Sequence, residues 1–318
     1  MKVRKLITDG FRGLPDRSYS LVDPRSDSGF GLVLVTGSRS SGKTSFLEAI
    51  IAAKEQVGPY GAAMPSSSYL RAGEATAKVR VEWEISEPER ARYGAPKRAI
   101  MTESIFGDTI MDPPAPDPVI AALLGEYDPD PAFGKVEYFH ATRAIPLGTA
   151  IDLSKIPGDP LDRISRLGRD DAKYASLIRF IVEAGLGLDR GPDGKPKPPG
   201  RIKAAFDALC PTKTLGGLYK SDDSYLPAFL DRSNKAYSLA QISDSELDAL
   251  LFAATFVRSG IHGSVVLVDT PERHLGDAET REFVHALSRL GENNQFIVAT
   301  RSEALLASVH TDQVIRLG

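Results

Sequence analysis

A single cysteine, Cys210, among 318 residues excludes an internal disulfide. It leaves the expectation of a reducing compartment, with Cys210 as a small buried apolar side chain. Long apolar runs are missing as well: none approaches the roughly 20 residues that a membrane-spanning helix needs. The start Met1-Lys2-Val3-Arg4-Lys5 is polar and charged and lacks the apolar stretch of a signal peptide, so a cytoplasmic protein is expected. There is no excess of positive charge. Lys and Arg number 39 against 42 Asp and Glu, a net charge of -3, which argues against a surface coated in cations for tight non-specific nucleic-acid binding and leaves room for a local basic groove. The histidines His140, His262, His274, His285 and His310 show no ligand spacing with cysteine or paired acids, which sets aside a metalloenzyme of that kind. What is abundant is core material: 42% of the chain is hydrophobic, enough for one large α/β domain or two small ones.

Against that background one stretch organises the chain. Gly37-Ser38-Arg39-Ser40-Ser41-Gly42-Lys43-Thr44 follows the apolar run Leu32 to Val35 and precedes a helical pattern at Phe46-Leu47-Glu48-Ala49-Ile50. Glycines at this spacing let consecutive backbone N–H groups turn inward around a phosphate chain, and the following helix adds its positive end. In this P-loop, Gly37, Ser38, Ser40, Ser41, Gly42 and Ser45 cradle the phosphates. Lys43 reaches the β- and γ-phosphates, and Thr44 offers its hydroxyl to Mg²⁺. Binding of a nucleoside triphosphate is the expectation.

The rest of the chain falls into three stretches. Residues 1–144 open with a short strand from Met1, its hairpin partner at Ser18 to Val22, and later a strict alternation at Val79 to Ile85 that places Trp83 in the core. Arg98 to Ile110 reads as one strand or two, and Val136 to Phe139 as another. Residues 145–235 read as a helical insertion, with helices at Asp162 to Glu183 and Ile202 to Cys210 and a breaker-rich loop from Gly191 to Gly200. Without sustained heptads it is no long coiled-coil arm. Its cations Lys195, Lys197, Arg201 and Lys203 suit either a phosphate backbone or, more simply, a solvated loop face. Residues 236–318 alternate helices with buried strands: a helix from Ser243 to Arg258, a strand at Val265 to Val268, a helix from Asp277 to Leu290, a strand at Phe296 to Ala299, a short helix from Ser302 to Ser308 and a last strand at Val314 to Leu317. That pattern implies a parallel sheet with helices on its faces.

Val265-Val266-Leu267-Val268-Asp269 carries the second half of the site, since an acid at the carboxyl end of a buried strand can hold Mg²⁺. Upstream, Ser243 and Glu246 form a capping-box pattern. The same helix start offers free amides and a positive dipole end to the γ-phosphate of a second molecule, and both readings can hold. Asn234-Lys235-Ala236-Tyr237 begins like a guanine-reading motif but has Tyr237 in place of its acid, which disfavours a GTPase. A small-molecule kinase is disfavoured by the absence of an arginine-rich lid.

These motifs, in this order, resemble the ABC-type ATPase head. The opening Gly10-Phe11-Arg12-Gly13-Leu14 resembles the branch that contains RecF, SMC proteins and OLD-family ATPases. The matching stretches are Ile242-Ser243-Asp244-Ser245-Glu246 for the signature, Asp269-Thr270-Pro271-Glu272-Arg273-His274-Leu275 for Walker B and Thr300-Arg301-Ser302 for the switch. They cover about 1–140 and 236–318. The resemblance implies an α/β P-loop NTPase with an ABC-ATPase-like head: a mostly parallel sheet flanked by helices, an antiparallel N-terminal β subdomain and a helical insertion. It implies ATP and Mg²⁺ as cofactors, with Thr44 and Asp269 on the metal. Ser243 and Ser245 would meet the ATP of a second subunit in a sandwich dimer. Arg12 would be either a nucleotide contact or a surface arginine.

The departures shape the functional expectation. The family's general base is Thr270 here, the switch histidine is Arg301, the second signature glycine is Ser245, and the usual loop Asp is Gly276 with Asp277 one step later. Loss of a positioned base typically costs about 10² to 10⁴ in rate. Glu272 and Arg301 are the remaining catalytic candidates. Either the chain is a slow ATPase, or it binds ATP, holds a partner and hardly hydrolyses. The resemblance implies DNA maintenance or phage defence, beside a separate effector, for example a nuclease, since no nuclease follows the switch strand; DNA contact is left open.

Overall fold

The computed structural model describes residues 1–61, 65–107, 115–127, 130–146, 164–191, 194–221 and 224–318. Its centre is a five-stranded, fully parallel sheet. The strands are β3 (Leu32–Gly37), β6 (Val136–Phe139), β10 (Val265–Asp269), β11 (Gln295–Ala299) and β12 (Val314–Leu317), in the order β12-β3-β11-β10-β6. Three of these segments, β3, β10 and β11, are runs of apolar residues with little alternation because both faces of the sheet are covered. Side chains of alternate residues then feed two cores. Val33, Val35, Tyr138, Leu267 and Ile297 lie under helix α1 (Lys43–Val57), whereas Leu34, Phe139, Val268 and Val298 pack on α6 (Asp244–Ser259) and α7 (Asp277–Leu287).

Over α1 lies a second, antiparallel sheet of β1 (Lys2–Asp9), β2 (Arg17–Ser20), β4 (Thr76–Glu84) and β5 (Ala99–Gly107), in the order β2-β1-β4-β5. The alternation seen at 79–85 holds: Val79, Val81 and Trp83 are fully buried, and the indole N–H donates to Thr102 Oγ1 at 3.0 Å. Gln295 joins this sheet to the parallel one. Its Oε1 accepts from the Val3 amide at 2.6 Å, and its Nε2 donates to the carbonyls of Val3 at 2.9 Å and Phe30 at 3.1 Å. Short helices α2 (Glu87–Tyr93) and α3 (Pro118–Gly125) close the same end.

The insertion differs from the sequence expectation. The described part of the 162–183 pattern is broken: Ile164 and Ser165 are helical, a 3₁₀ turn covers Asp171–Tyr174, and α4 spans Leu177–Gly185, while α5 (Arg201–Leu209) follows as expected. Two strands of the stretch read as a helical insertion, β7 (Lys213–Ser221) and β8 (Ser224–Asp231), form a three-stranded antiparallel sheet with β9 (Ala236–Tyr237). Gly216, Gly217 and Pro227 obscured those strands in the sequence, since such residues are scarce inside strands; a register shift between Ala228 and Phe229 accommodates the pairing. Asn234, at φ 61°, makes the turn of this sheet, so the guanine-like motif is a hairpin turn. Leu177, Ile181, Phe206 and Phe229 share the core of α6, which makes the insertion continuous with the head. Cys210 is buried, as expected. The basic cluster is largely paired on the protein itself: Lys197 and Arg201 meet Asp189, and Lys203 meets Asp207.

The Gln295 join predicts a measurable cost. Gln295→Leu strands two carbonyls and an amide, each worth about 1–3 kcal/mol, so urea unfolding should show a loss of at least about 3 kcal/mol with an unchanged denaturant slope.

Candidate functional site

Parallel pairing brings the carboxyl ends of β3, β10, β11 and β6 to one edge of the sheet, where crevices in such folds bind ligands. The loop after β3 turns sharply there. Gly37, Ser40 and Gly42 have φ of 155°, 63° and 95°. A Cβ on Gly37 would sit 2.2 Å from the Leu317 carbonyl, so only glycine fits. Helix α1 then starts at Lys43 with no side-chain cap and no acid in its first turn, leaving its amide end for an outside anion. Ser38 and Ser40 are exposed, and Ser41, Lys43, Thr44 and Ser45 are half-buried. Lys43 Nζ donates to the carbonyls of Gly37 and Ser38, both at 2.8 Å, so the ammonium lies over the loop. Burial and the nearby Arg301 guanidinium pull Lys43 below the usual lysine range, against the opposing pull of Glu272 and Asp269.

Two motifs 225 residues apart meet at one hydrogen bond: Thr44 Oγ1 donates to Asp269 Oδ2 at 2.7 Å. The other Asp269 oxygen accepts from Thr270 Oγ1 at 3.1 Å. A carboxylate only 3% exposed whose oxygens meet two hydroxyls is a hard-oxygen donor set of the sort magnesium takes together with phosphate oxygens and water. Among the described residues no cluster of three or more His, Cys, Asp or Glu could hold a metal alone, so phosphate oxygens would complete any such site.

The remaining predicted residues fall into place around this pair. Thr270, a β-branched residue at φ 53°, turns the chain just after the strand, a strained conformation that surrounding contacts must hold. Glu272 is engaged on both oxygens: Oε2 accepts from Thr300 Oγ1 at 3.0 Å and Oε1 from the Arg301 amide at 2.8 Å. It braces the end of β11. Arg301 is exposed beside Lys43. Asp277 accepts from Ser302 Oγ and from the Ala304 amide at 2.9 Å, bonds that hold its carboxyl below the usual range. Arg12 donates to Glu48 of α1 and, through Nε, to the Ser68 carbonyl at 2.9 Å, while its guanidinium lies over Tyr69.

Ser243 caps α6. Its amide is bonded by Glu246 Oε2 at 2.8 Å, and its Oγ lies 3.0 Å from Ser245 Oγ. Ser243 and Asp244 are exposed, so this helix start faces outward. Burial raises the Glu246 carboxyl, but bonds from the Ser243 amide, Thr212 and Lys213 outweigh it and hold it below the usual range.

Several residues here carried no sequence signal. Arg143, 2% exposed, grips Asp248 with Nε at 2.8 Å and Nη2 at 2.5 Å, and Nη1 donates to the Asp269 carbonyl at 2.9 Å and the His140 carbonyl at 3.2 Å. One side chain therefore ties α6 to the turn after β10. Glu137 and Arg166, both fully buried, pair at 2.8 Å and root the insertion on β6. His140, at the carboxyl end of β6, is pushed down to about 3 by burial and by Lys173, Arg143, Arg169 and Arg273, so it is neutral near pH 7. The only signal available was the polar run His140-Ala141-Thr142-Arg143 after an apolar strand.

No protein-family profile matches this chain, and no characterised protein matches it in sequence. Solved structures do. An Smc head bound to the C-winged helix domain of ScpA superposes with a TM-score of 0.55 at 14% identity, over 99% of this chain and 96% of that one. An Smc head with an extended coiled coil, bound to the C-terminal domain of ScpA from Pyrococcus furiosus, gives 0.53 at 13% identity over 96% and 91%. The fold is that of these Smc heads: a parallel sheet flanked by helices with an antiparallel sheet over one face. No helix among the described residues is long and apolar enough to cross a membrane.

Two outcomes follow from the buried charges. Removing one partner of a buried ion pair costs about 3–5 kcal/mol, so Arg143→Met should lose about that much in urea unfolding, and Arg143→Met/Asp248→Leu should recover part of it. His140 is depressed below its unfolded value, so the stability it contributes is full above pH 6.5 and is lost as pH falls toward 3. The melting temperature should fall across that window, and less steeply in His140→Gln.

Proposed function

We propose that this chain is an ATP-binding head of the ABC type that dimerises around ATP and controls a partner protein, with hydrolysis slow or absent. The observation that carries the reading is the hydrogen bond from Thr44 to Asp269, which joins a phosphate loop and a buried acid into one site. Gly37 to Ser45 would hold the phosphates, Lys43 leaving the Gly37 and Ser38 carbonyls for the β- and γ-phosphate oxygens. Thr44 and Asp269 would hold Mg²⁺, Asp269 through water. Bound magnesium supplies neutralisation of charge on the phosphate oxygens.

Slow turnover is supported by the Walker B turn. Thr270 has no group that accepts a proton near neutral pH, and Glu272 must release the end of β11 before it can serve as a base. Arg301 can hold a γ-phosphate through its planar fork but cannot shuttle a proton. The exposed Ser243 and the half-buried Ser245 beside it would meet the ATP of a second copy, which makes the sandwich dimer the active form. Both similar heads were crystallised with a ScpA domain, and a separate effector is part of this proposal. The narrower placement near RecF and OLD-family ATPases, in DNA maintenance or phage defence, rests on Phe11-Arg12-Gly13-Leu14 and the Asp269 to Leu275 stretch alone. A second reading, an ATP-held scaffold that never touches DNA, is favoured by the same occupied Glu272.

The mass in solution with and without ATP and Mg²⁺, with phosphate release followed in the same samples, tests the proposal. The wild type should form a dimer with ATP and Mg²⁺, and Lys43→Ala should remain a monomer. Phosphate release should stay about 10² to 10⁴ below that of a head with a positioned base. Steady release that Glu272→Gln abolishes would overturn the slow-switch reading.

A further inference from the structure

A cavity of about 470 Å³ lies between the head and the insertion, away from Lys43 and Asp269. Gly260, Ile261 and His262, which lead into β10, and Leu290 and Gly291, which lead into β11, line it. It therefore stands at the amino ends of these strands, with the length of the parallel sheet between it and the candidate site at their carboxyl ends. Its volume falls in the range of roughly 300–1,000 Å³ that small-molecule sites occupy.

The two sides of the lining differ in chemistry. From the head come apolar groups: Phe256 and Val257 in the last turn of α6, Ile261 just beyond it, and Leu290. From the insertion come three cations, Arg190, Lys197 and Arg201. Backbone bonds fix the loop that presents them, since the Gly191 amide donates to the Lys195 carbonyl and the Lys197 amide to the Asp189 carbonyl, each at 2.9 Å. Asp189 is shared between two of the three: its Oδ2 accepts from Arg201 Nη2 at 2.6 Å, and its Oδ1 lies 3.6 Å from Lys197 Nζ. Arg190 bonds only the Gly194 carbonyl, at 3.0 Å, among the described residues. Arg201 Nε is buried with no partner among the described residues, a donor that is costly to leave unmet. Asp130 also lines the cavity, with Oδ1 on the Ala132 amide at 2.9 Å, and the cations still outnumber the carboxylates. His262 adds a donor. Its Nδ1 accepts from the Glu292 amide at 3.1 Å, so the neutral ring carries its proton on Nε2. The start of α5 sharpens the imbalance: it has no side-chain cap and no acid in its first turn, and it opens with Arg201 and Lys203, which oppose the helix dipole where an anion would suit it.

We propose that this cavity binds a small amphipathic organic anion, with a carboxylate or phosphate head on the Arg190 and Arg201 guanidiniums and a flat apolar body against Phe256, Val257 and Leu290. The planar fork of a guanidinium matches the paired oxygens of either head. An inorganic anion leaves the apolar side unfilled, and a neutral apolar molecule leaves the cations unanswered; a ligand with both parts answers the whole lining. The site is independent of the nucleotide reading, since none of its residues belongs to the loop after β3 or to the end of β10.

Calorimetric titration with 1-naphthoate and 1-naphthol tests the site on the wild type. 1-Naphthyl phosphate and inorganic phosphate are titrated into Lys43→Ala, so that the loop after β3 does not take them up. 1-Naphthoate should bind at one site per chain, and 1-naphthol about tenfold more weakly. Arg190→Gln changes an exposed side chain and should weaken 1-naphthoate about tenfold, the low end for a hydrogen bond to a charged group, with 1-naphthol unaffected. Arg201→Gln should act likewise, its melting temperature being measured to confirm the fold. The His262 ring resonances, assigned by their loss in His262→Gln, should shift as 1-naphthoate is added, and ATP with Mg²⁺ should not displace it. In Lys43→Ala, 1-naphthyl phosphate should bind more tightly than inorganic phosphate; whether it exceeds 1-naphthoate in the same variant names the head as phosphate or carboxylate, and either order supports the site. 1-Naphthoate that fails to bind, binds Arg190→Gln as it binds the wild type, leaves His262 unmoved or is displaced by ATP overturns the proposal and leaves the nucleotide reading standing.

Discussion

The arrangement of the candidate site depends on one buried cation. Arg143 reaches from just beyond β6 to the carboxylate of Asp248 on α6 and to the backbone carbonyls at the turn after β10. Two otherwise independent elements are thereby held in one geometry: the helix whose start faces outward at Ser243, and the turn that aims Asp269 at Thr44. The guanidinium also lies 4.9 Å from the Phe252 ring centroid, so its flat face is packed while its edge is bonded. Thr270, strained at φ 53°, lies within this grip, with its amide bonded to the Ala299 carbonyl at 2.9 Å. A strained turn persists where its surroundings over-determine it, and Arg143 supplies much of that determination. A second buried pair, Glu137 with Arg166, fastens the insertion to the same strand. The charges that organise the head are therefore interior ones.

The chemistry at the sheet edge follows from which groups are already engaged. Asp269 is met by hydroxyls and remains available to a cation. Glu272 is spent on the end of β11, where it bonds both Thr300 and the Arg301 amide. His140 is buried among cations and neutral, so it is no proton shuttle near pH 7. On the proposed reading, these features suit a site that holds a triphosphate better than one that turns it over, because holding needs only donors and a metal whereas hydrolysis needs a free base beside the attacking water.

Much of this was legible in the residues. The loop after β3 reads directly because its sharp turn needs backbone freedom, and Gly37 and Gly42 are the residues that permit it. The buried strands read directly because a sheet covered on both faces selects unbroken apolar runs. The capping box at Ser243 and Glu246 read directly because both bonds are local. The hairpin of β7 and β8 did not, since Gly216, Gly217 and Pro227 interrupt the expected composition and its stability comes from packing on α5 and α6. Arg143 and Asp248 were silent too. An arginine in a polar-flanked strand end looks the same whether it meets water or a carboxylate 105 residues away.

The sequence by itself determined the class of fold, the glycine-rich loop after β3 and the acid at the end of β10, because each is written in local residue types and spacings. Only the tertiary structure decided that Glu272 braces a strand end, that Arg12 is held by Glu48 and the Ser68 carbonyl, and that Arg143 couples α6 to the turn after β10. The physical reason is that an ionisable side chain's role is set by the partner that compensates its burial. That partner is brought to it by the order of strands in the sheet, which no local spacing encodes.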